Sequence, residues 1–267
     1  MKKLSLALFS GLITISSSFA YDVYFSVKDF DWKETENGMQ MVHETGKLIG
    51  LGIGWEGRFF GILDTKNKME FYGKSVDYKG HAVNTLTGDL YPANTNTTYF
   101  GINPEIALGK KFKLNQEITV MPYIGIGYDM WVRNLDDGTY IDENGNTQPF
   151  SGYTELYFIG YSPIGIQTKT QYKGIDLSVY GQYNYNFFIR EKVDKFGNTT
   201  LKPKRGNAYR LGVKAGYKMF FAEAFYDYLH LKKSDVETAI DDNGNVYNVF
   251  QPDSKRKMMG INIGMRF

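Results

Sequence analysis

The chain has 267 residues, no cysteine, and 31 basic against 29 acidic side chains. The lack of cysteine excludes disulfide bonds, thiol catalysis and thiolate metal sites, and the near-zero net charge argues against a nucleic-acid-binding surface, which needs a basic excess. The mean hydropathy is −0.37, and 16% of the residues are aromatic. Beyond the N-terminal segment no run of about 18 apolar residues occurs, so the composition argues against a membrane protein built from helices.

The first twenty residues have the pattern of a secretory signal peptide. Lys2 and Lys3 form a positive start, residues 4–15 are mostly apolar, and small side chains at Ser18 and Ala20 suit a signal peptidase. We therefore predict a cleaved signal peptide at 1–20 and one exported domain at 21–267. A membrane anchor is the alternative, but the apolar stretch is short for a span. The exported domain would carry 29 basic and 29 acidic residues, because the first twenty hold two lysines and no acid.

Period-two alternation of apolar and polar side chains recurs along the rest of the chain. In the last segment Met259, Ile261 and Ile263 alternate with Gly260 and Asn262. Such alternation predicts β-strands in a sheet with one apolar and one polar face. About ten strands are predicted, at 21–34, 44–59, 67–80, 95–109, 117–134, 153–168, 174–190, 205–218, 220–234 and 255–267. The third has the weakest apolar pattern.

Pro163 lies where the apolar face of the sixth strand changes sides. The apolar residues are Tyr157 and Ile159 before it, and Ile164 and Ile166 after it, on the opposite parity. Because proline cannot donate a hydrogen bond to a neighbouring strand, this change predicts a β-bulge at Pro163.

The connections alternate between short turns and long segments. Each long segment contains a glycine turn, at Asn37-Gly38, Thr87-Gly88, Asn144-Gly145, Phe196-Gly197 and Asn243-Gly244. Asn-Gly favours a tight hairpin turn, because both central residues need a positive φ. An even strand count with alternating loop lengths predicts an all-β, antiparallel, up-and-down transmembrane barrel. Hairpin loops would extend this barrel above the membrane.

The last hairpin allows a prediction of register. A two-residue turn at Asn243-Gly244 places Tyr226 opposite Ile261 and Phe220 opposite Phe267. These pairs are apolar and share one face, and a shift by one residue would mix the two faces.

The opposite face of these strands carries charges that we predict to line the lumen as pairs. A turn at Lys218-Met219 places Arg210 opposite Asp227 and Lys214 opposite Glu223, and centring the preceding hairpin on Gly197 places Asp176 beside Lys218. Further inward candidates are Glu70, Lys74, Glu105, Asp129, Trp131 and Arg133. Such pairs either fill and rigidify a narrow lumen or line a path for solutes. The glycines on this face leave space for a solute path.

The sequence predicts no catalytic or metal-binding site. His43, His81 and His230 fall near the outer rim, and Asp227 faces away from His230. The acidic turns at 136–138, 142–145 and 241–244 match no calcium loop and suit hairpin tips. No cofactor is expected. Exposed rings could instead stack on carbohydrate, at Tyr91, Tyr140, Tyr247 and Phe250.

The cleavage site after Ala20, the alternating strands, the five long loops and the terminal sequence Gly-Ile-Asn-Ile-Gly-Met-Arg-Phe together resemble the OmpA/opacity-like superfamily of small outer-membrane barrels. The resemblance is one of pattern over residues 21–267, so no functional residues carry over. It implies a bacterial outer-membrane location and outer-membrane lipid as a partner. The terminal Phe267, with Met265, Ile263 and Ile261 at alternate positions, looks like the signal that the barrel-assembly machinery reads.

Three function classes remain open at this point. The first is a structural or surface barrel or a narrow porin-like pore for a small solute. The second is an adhesin or ligand-binding barrel that works through the hairpin loops. The third is a rim enzyme like the ten-stranded omptin proteases, which carry Asp/His pairs near the rim; no Asp-x-His element occurs here, so we expect no enzyme.

Overall fold

The computed structural model describes residues 20–83, 89–195, 197–240 and 244–267. The predicted signal peptide lies, apart from Ala20, outside these residues, as does the predicted turn at Thr87-Gly88. In the described ranges, no helix has the length and apolar character needed to cross a membrane.

Ten long strands form one closed antiparallel barrel. Each strand pairs with the next along the chain, and the last pairs with the first. Backbone hydrogen bonds between Tyr21 and Phe267, with N···O distances of 3.1 and 2.8 Å, complete this closing pair at its end. The strands are β1 (Ala20–Glu36), β2 (Met39–Phe59), β3 (Leu63–Val83), β4 (Leu90–Gly109), β5 (Thr119–Leu135), β6 (Thr154–Tyr172), β7 (Ile175–Val193), β8 (Lys204–Tyr217), β9 (Phe220–Lys232) and β10 (Asp253–Arg266). The predicted ten-stranded up-and-down barrel is confirmed, including its third strand.

The two ends of the barrel differ as the loop lengths predict. The end with the chain termini, here the terminal end, carries the turns at 60–62, 173–174 and 218–219 and the segment 110–118 with the short strand Phe112–Lys113. The other end, the hairpin end, carries the strand pairs Gly138–Ile141 with Thr147–Phe150 and Glu237–Ile240 with Val246–Val249, and the strand Thr199–Leu201 beside β7. Asn37 and Gly38 have φ values of 50° and 81°, as a two-residue hairpin turn requires.

An apolar belt surrounds the outside of the barrel at the terminal end. On β1 the outward side chains are Tyr21, Val23, Phe25 and Val27, each at least 37% exposed, and the outward position after them is Asp29. The same change occurs on β2, where Lys47 follows Ile49, and on β10, where Lys257 follows Met259. We name this surface the lipid belt and take as membrane-spanning segments the residues 21–28, 48–56, 65–74, 100–109, 119–132, 158–170, 175–188, 208–217, 220–228 and 258–267.

Beyond the lipid belt the apolar side chains point inward instead. Trp32 and Tyr157 are fully buried there, and Leu231 is as well. We name this cluster the outer core; it also contains Phe30, Val42, Val76, Tyr99, Leu135 and Ile189. Each large apolar side chain buried in this way contributes about 1.5–3 kcal/mol to stability. The barrel therefore has a mainly polar interior within the membrane, whereas large apolar side chains also fill the interior above it.

This inversion explains the change of apolar face at Pro163, and the predicted bulge there is wrong. The pairing of β6 with both neighbours keeps one register through Pro163. Tyr157 and Ile159 face the outer core, whereas Ile164 and Ile166 face the lipid. The bulge lies in the partner strand β7, between Asn186 and Phe188.

The predicted register of β9 with β10 is wrong by two residues. Phe220 lies opposite Met265, not Phe267, and Tyr226 lies opposite Met259. The short strand pair above accounts for one residue of the difference, because Ile240 lies opposite Val246. The second residue arises between this pair and the facing Leu231 and Ser254 at the top of the ladder. The faces agree nevertheless, since a shift by two residues preserves alternation.

Two lumen-facing glycines allow a test of how tightly the interior packs. A Cβ added at Gly125 would lie 2.1 Å from the Ile106 carbonyl oxygen, whereas one at Gly216 would meet its nearest atom at an ordinary 3.6 Å. We expect Gly125→Ala to lower the free energy of unfolding by about 1–3 kcal/mol, because backbone must move. Gly216→Ala is the matched control and should change it little. Urea unfolding in detergent micelles measures both; equal effects would contradict the packing described.

Candidate functional site in the barrel interior

Inward side chains fill the lumen in three layers. The terminal layer lies within the lipid belt near the chain termini and the central layer near the upper edge of the belt. The outer layer begins at that edge and extends above it. Each layer joins side chains from strands on different walls of the barrel.

In the terminal layer, Asp22 binds both Lys214 and Arg266, the latter at 2.9 Å. Deeper in the lumen, the Arg210 guanidinium lies 3.1 Å from the Tyr180 hydroxyl oxygen and 3.8 Å from Glu223. The layer also includes Phe221, whose ring lies 3.8 Å from the Lys214 ammonium.

The structure places the predicted cross-strand neighbours side by side but pairs their charges differently. Arg210 lies opposite Asp227 and Lys214 opposite Glu223 in the β8–β9 ladder. Lys214 reaches across to Asp22, however, and Asp227 lies 3.6 Å from Arg256 on β10. Long side chains in a narrow lumen can reach several strands, so the neighbour in the ladder need not be the partner in the ion pair.

The predicted pair of Asp176 with Lys218 is wrong. Asp176 lies opposite Gly216 and contacts Arg266 at 3.4 Å. Lys218 is exposed in the β8–β9 turn, with its ammonium 5.4 Å from the Tyr217 ring. The β7–β8 register differs by two residues from the predicted one, because the hairpin above centres on position 196, not on Gly197.

The central layer consists of buried ion pairs. Lys28 and Glu70 lie 3.0 Å apart and are each 2% exposed. Arg256 binds Asp129 at 2.5 Å, and the Tyr72 hydroxyl donates to the same carboxylate at 3.1 Å. Glu105, likewise predicted to face inward, is buried beside Lys68, whereas Lys74 is exposed.

The outer layer is built around Arg133. Its guanidinium lies 2.5 Å from Glu44 and 2.8 Å from Glu155. Below it the rings of Trp131 and Tyr157 stack with centroids 4.6 Å apart, and Trp32 meets Tyr157 edge-on at 5.7 Å. These aromatic rings cross the lumen from three different strands.

Two further carboxylates give the outer layer an acidic excess. Glu34 and Glu191 are buried beside Glu155, so four carboxylates surround the single guanidinium of Arg133. Burial raises the pKa of Glu34 to about 7, with Glu155 adding to the rise and Arg133 opposing it. Burial, then Glu155 and Glu34, likewise raise the pKa of Glu191. We therefore expect the protonated form of Glu34 to persist to near-neutral pH.

Sequence reasoning missed all four of these glutamates. The alternation places all four at inward positions of their strands. The apolar residues that share these positions, however, suggested that this side of the strands faces lipid. Glu34 is held by Trp32 Nε1 at 2.9 Å and by Gln251 Nε2 at 3.2 Å, and Gln251 lies 217 residues away.

Cavities remain between the inward side chains. A cavity of about 30 Å³ lies among Lys28, Asp129 and Arg256, and one of about 90 Å³ lies between Glu105 and Glu223. A third, of about 340 Å³, opens at the terminal end beside Arg266. About 10–15 Å³ of such water-accessible space is enough for one water molecule, so the first two cavities both have room for water. Among the described residues no group of three metal-binding side chains converges.

The three histidines lie outside the lumen layers. His230 Nε2 lies 2.8 Å from Asp253 Oδ2, and His43 Nε2 lies 3.4 Å from Asp31 Oδ2. His81 contacts the Met41 carbonyl oxygen at 3.1 Å. The His230–Asp253 contact was not predicted from the sequence, which indicated only that Asp227 faces away from His230.

Comparison with known proteins supports the fold. No family model and no curated protein matches the sequence. Among solved structures, the outer membrane protease OmpT from Escherichia coli has a TM-score of 0.61 at 12% identity, covering 96% of this chain and 99% of that one. The NalP translocator domain of Neisseria meningitidis scores 0.44 at 12% identity, covering 98% and 92%, and the attachment invasion locus protein of Yersinia pestis scores 0.35 at 11%, covering 94% and 100%. The fold is that of a bacterial outer-membrane β-barrel, as predicted.

The acidic outer layer makes stability depend on pH. A carboxyl whose folded pKa is raised binds more protons in the folded than in the unfolded state, so stability falls as pH rises from about 4.5 to about 7. Glu34→Gln keeps an acceptor for Trp32 but cannot ionise. We expect the variant to match the wild type at pH 4 and to exceed it by about 3 kcal/mol at pH 8. Urea unfolding followed by tryptophan fluorescence measures this.

Glu36→Gln is the matched control on the same strand. Glu36 pairs with Lys233 at 2.6 Å near the surface, and its substitution should produce no advantage that grows with pH. A constant difference between Glu34→Gln and the wild type across pH would contradict the buried-acid interpretation.

Proposed function

We propose that this protein is a closed outer-membrane barrel with a structural and surface-presenting role, and that it does not conduct solutes. The observation that carries the proposal is the filled lumen, in which three successive layers of side chains cross the barrel. Ten strands enclose a lumen close to the size that side chains can fill, whereas open channels use more strands.

The energetics of the layers support a permanently closed state. Separating Arg133 from Glu44 and Glu155, or Arg256 from Asp129, would leave an uncompensated buried charge. Breaking one buried pair in this way costs about 3–5 kcal/mol. A continuous path would need such a change in every layer, together with displacement of Trp131 and Tyr157.

The extension above the lipid belt supports the surface-presenting role. On β1 the strand continues from Val27 to Glu36 beyond the belt, which corresponds to about 20 Å of height for tilted strands. The outer core makes this extension rigid, so the hairpins stand on a packed base. Tyr91 and Tyr140 stack on each other at 5.3 Å, which leaves no slot between them for a sugar ring.

Conductance tests the closed barrel. In planar bilayers we expect no discrete current steps from the wild type. A variant that shortens one large side chain in each layer, Trp131→Ala with Arg256→Ala and Arg210→Ala, should produce steps, because it removes a bulky group at every level.

Trp131→Ala alone should stay silent, since two layers remain. Tyr128→Ala serves as a control, because Tyr128 faces the lipid and is 44% exposed. Discrete steps from the folded wild-type barrel would overturn the proposal.

The proposal includes no catalytic activity, and the histidine contacts provide a direct test. Protein reconstituted in vesicles should hydrolyse fluorogenic peptide and phospholipid substrates no faster than empty vesicles. His230→Ala and His43→Ala should give the same background rate. An activity of the wild type that His230→Ala abolishes would show that the His230–Asp253 contact belongs to an enzyme.

A further inference from the structure

One sector of the outer surface, directly above the lipid belt, carries an excess of lysines. Its members face outward on the adjacent strands β9, β10 and β1. We name this set the basic patch; it consists of Lys33, Lys232, Lys255 and Lys257.

The lysines of the basic patch lie close to one another. In the β-ladders Lys255 lies opposite both Lys33 and His230, and Lys257 lies opposite Tyr228 and Asp31. Directly opposed residues of an antiparallel pair have Cβ atoms about 4.5–5.5 Å apart, and like charges in that arrangement repel. A bound anion would remove this repulsion.

The nearby carboxylates already have cationic partners, and one of these partners is Lys33 of the basic patch. Asp31 lies 3.6 Å from Lys33 and 3.4 Å from His43, and Asp253 lies 2.8 Å from His230. Asp29 pairs with Lys47 on β2 at 2.8 Å. Among the described residues, no carboxylate forms an ion pair within 4 Å of Lys255 or Lys257.

The surface below the basic patch has an apolar relief that suits acyl chains. Tyr228 and Tyr209 stack with centroids 5.0 Å apart at the upper edge of the belt. Below them the outward positions are small at Ala215 and Ala222, which lie opposite each other, and at Ala224. The larger Ile263 and Ile261 of β10 lie opposite Ala222 and Ala224. These positions form a shallow apolar track that leads up to the lysines.

From this arrangement we propose that the basic patch binds the phosphate-bearing headgroup of a membrane lipid whose acyl chains lie along the track below. Lys257 is two residues above the lipid-facing Met259, or about 7 Å along the strand, and Lys255 is about 14 Å above it. A strand tilt of about 45° reduces these distances to roughly 5–10 Å of height, comparable to the headgroup region on one side of a bilayer. The proposal goes beyond the closed barrel and is independent of conductance.

The test uses the full-length barrel in a nonionic detergent, titrated with dihexanoyl phosphatidic acid below its micelle concentration and followed by the rise in unfolding temperature. Binding to Lys255→Gln/Lys257→Gln should be at least about tenfold weaker, since each lysine near an anionic headgroup contributes about fivefold. Lys79→Gln/Lys192→Gln, which removes two exposed lysines from β3 and β7, is the matched control and should bind like the wild type. Wild-type binding should also weaken with added salt.

Three outcomes would overturn the proposal. Equal affinity of the Lys255→Gln/Lys257→Gln variant would show that the patch is not the site. Equal binding of dihexanoyl phosphatidylcholine would show that acyl chains alone account for binding. Equal stabilisation by inorganic phosphate at the same concentration would show a site for free anions. Both lysine pairs are on the surface, and circular dichroism with heat-dependent mobility verifies that each variant is folded.

Discussion

Backbone N–H and C=O groups that face hydrocarbon have no water to bond with, so each must find a partner in a neighbouring strand. This constraint accounts for the closure of β1 on β10, down to the hydrogen bonds between Tyr21 and Phe267. It also accounts for the continuous ladders around the wall. In the closed wall each side chain points either into the lumen or to the outside. At each height, the surroundings of the barrel determine which of the two faces carries the apolar side chains.

Within the lipid belt, apolar side chains point outward and the charged ones are forced into the lumen. A charge there is tolerated only with a partner, and Lys28 with Glu70 and Asp129 with Arg256 show how closely the partners meet. Above the belt the surroundings are aqueous on the outside, and the same strands reverse their faces. The barrel thereby gains an outer core like that of a soluble protein, and the acidic cluster around Arg133 is enclosed by it. The closed lumen and the sensitivity to pH both follow from this reversal.

The outward side chains change in character at the same height as the inward ones. On β9 and β10 the outward positions pass from isoleucine and alanine through tyrosine to lysine within a few residues. That order mirrors the order of acyl chain, interface and headgroup in a membrane leaflet. The basic patch is thus placed by the same boundary that determines where the interior changes from polar to apolar.

Period-two alternation in the sequence was sufficient to find ten strands, their order and, over the lipid belt, their inward and outward faces. It could not distinguish registers that differ by two residues, because such a shift leaves the faces unchanged. The predicted partners of Phe220 and Asp176 were wrong for this reason. It also could not show that an apolar residue such as Tyr157 faces inward, since the pattern carries no information on which face meets lipid at a given height. The partners of Lys214 and Arg133 were decided by the tertiary structure alone, because only the closed barrel brings Asp22 and Glu44 across the lumen to meet them.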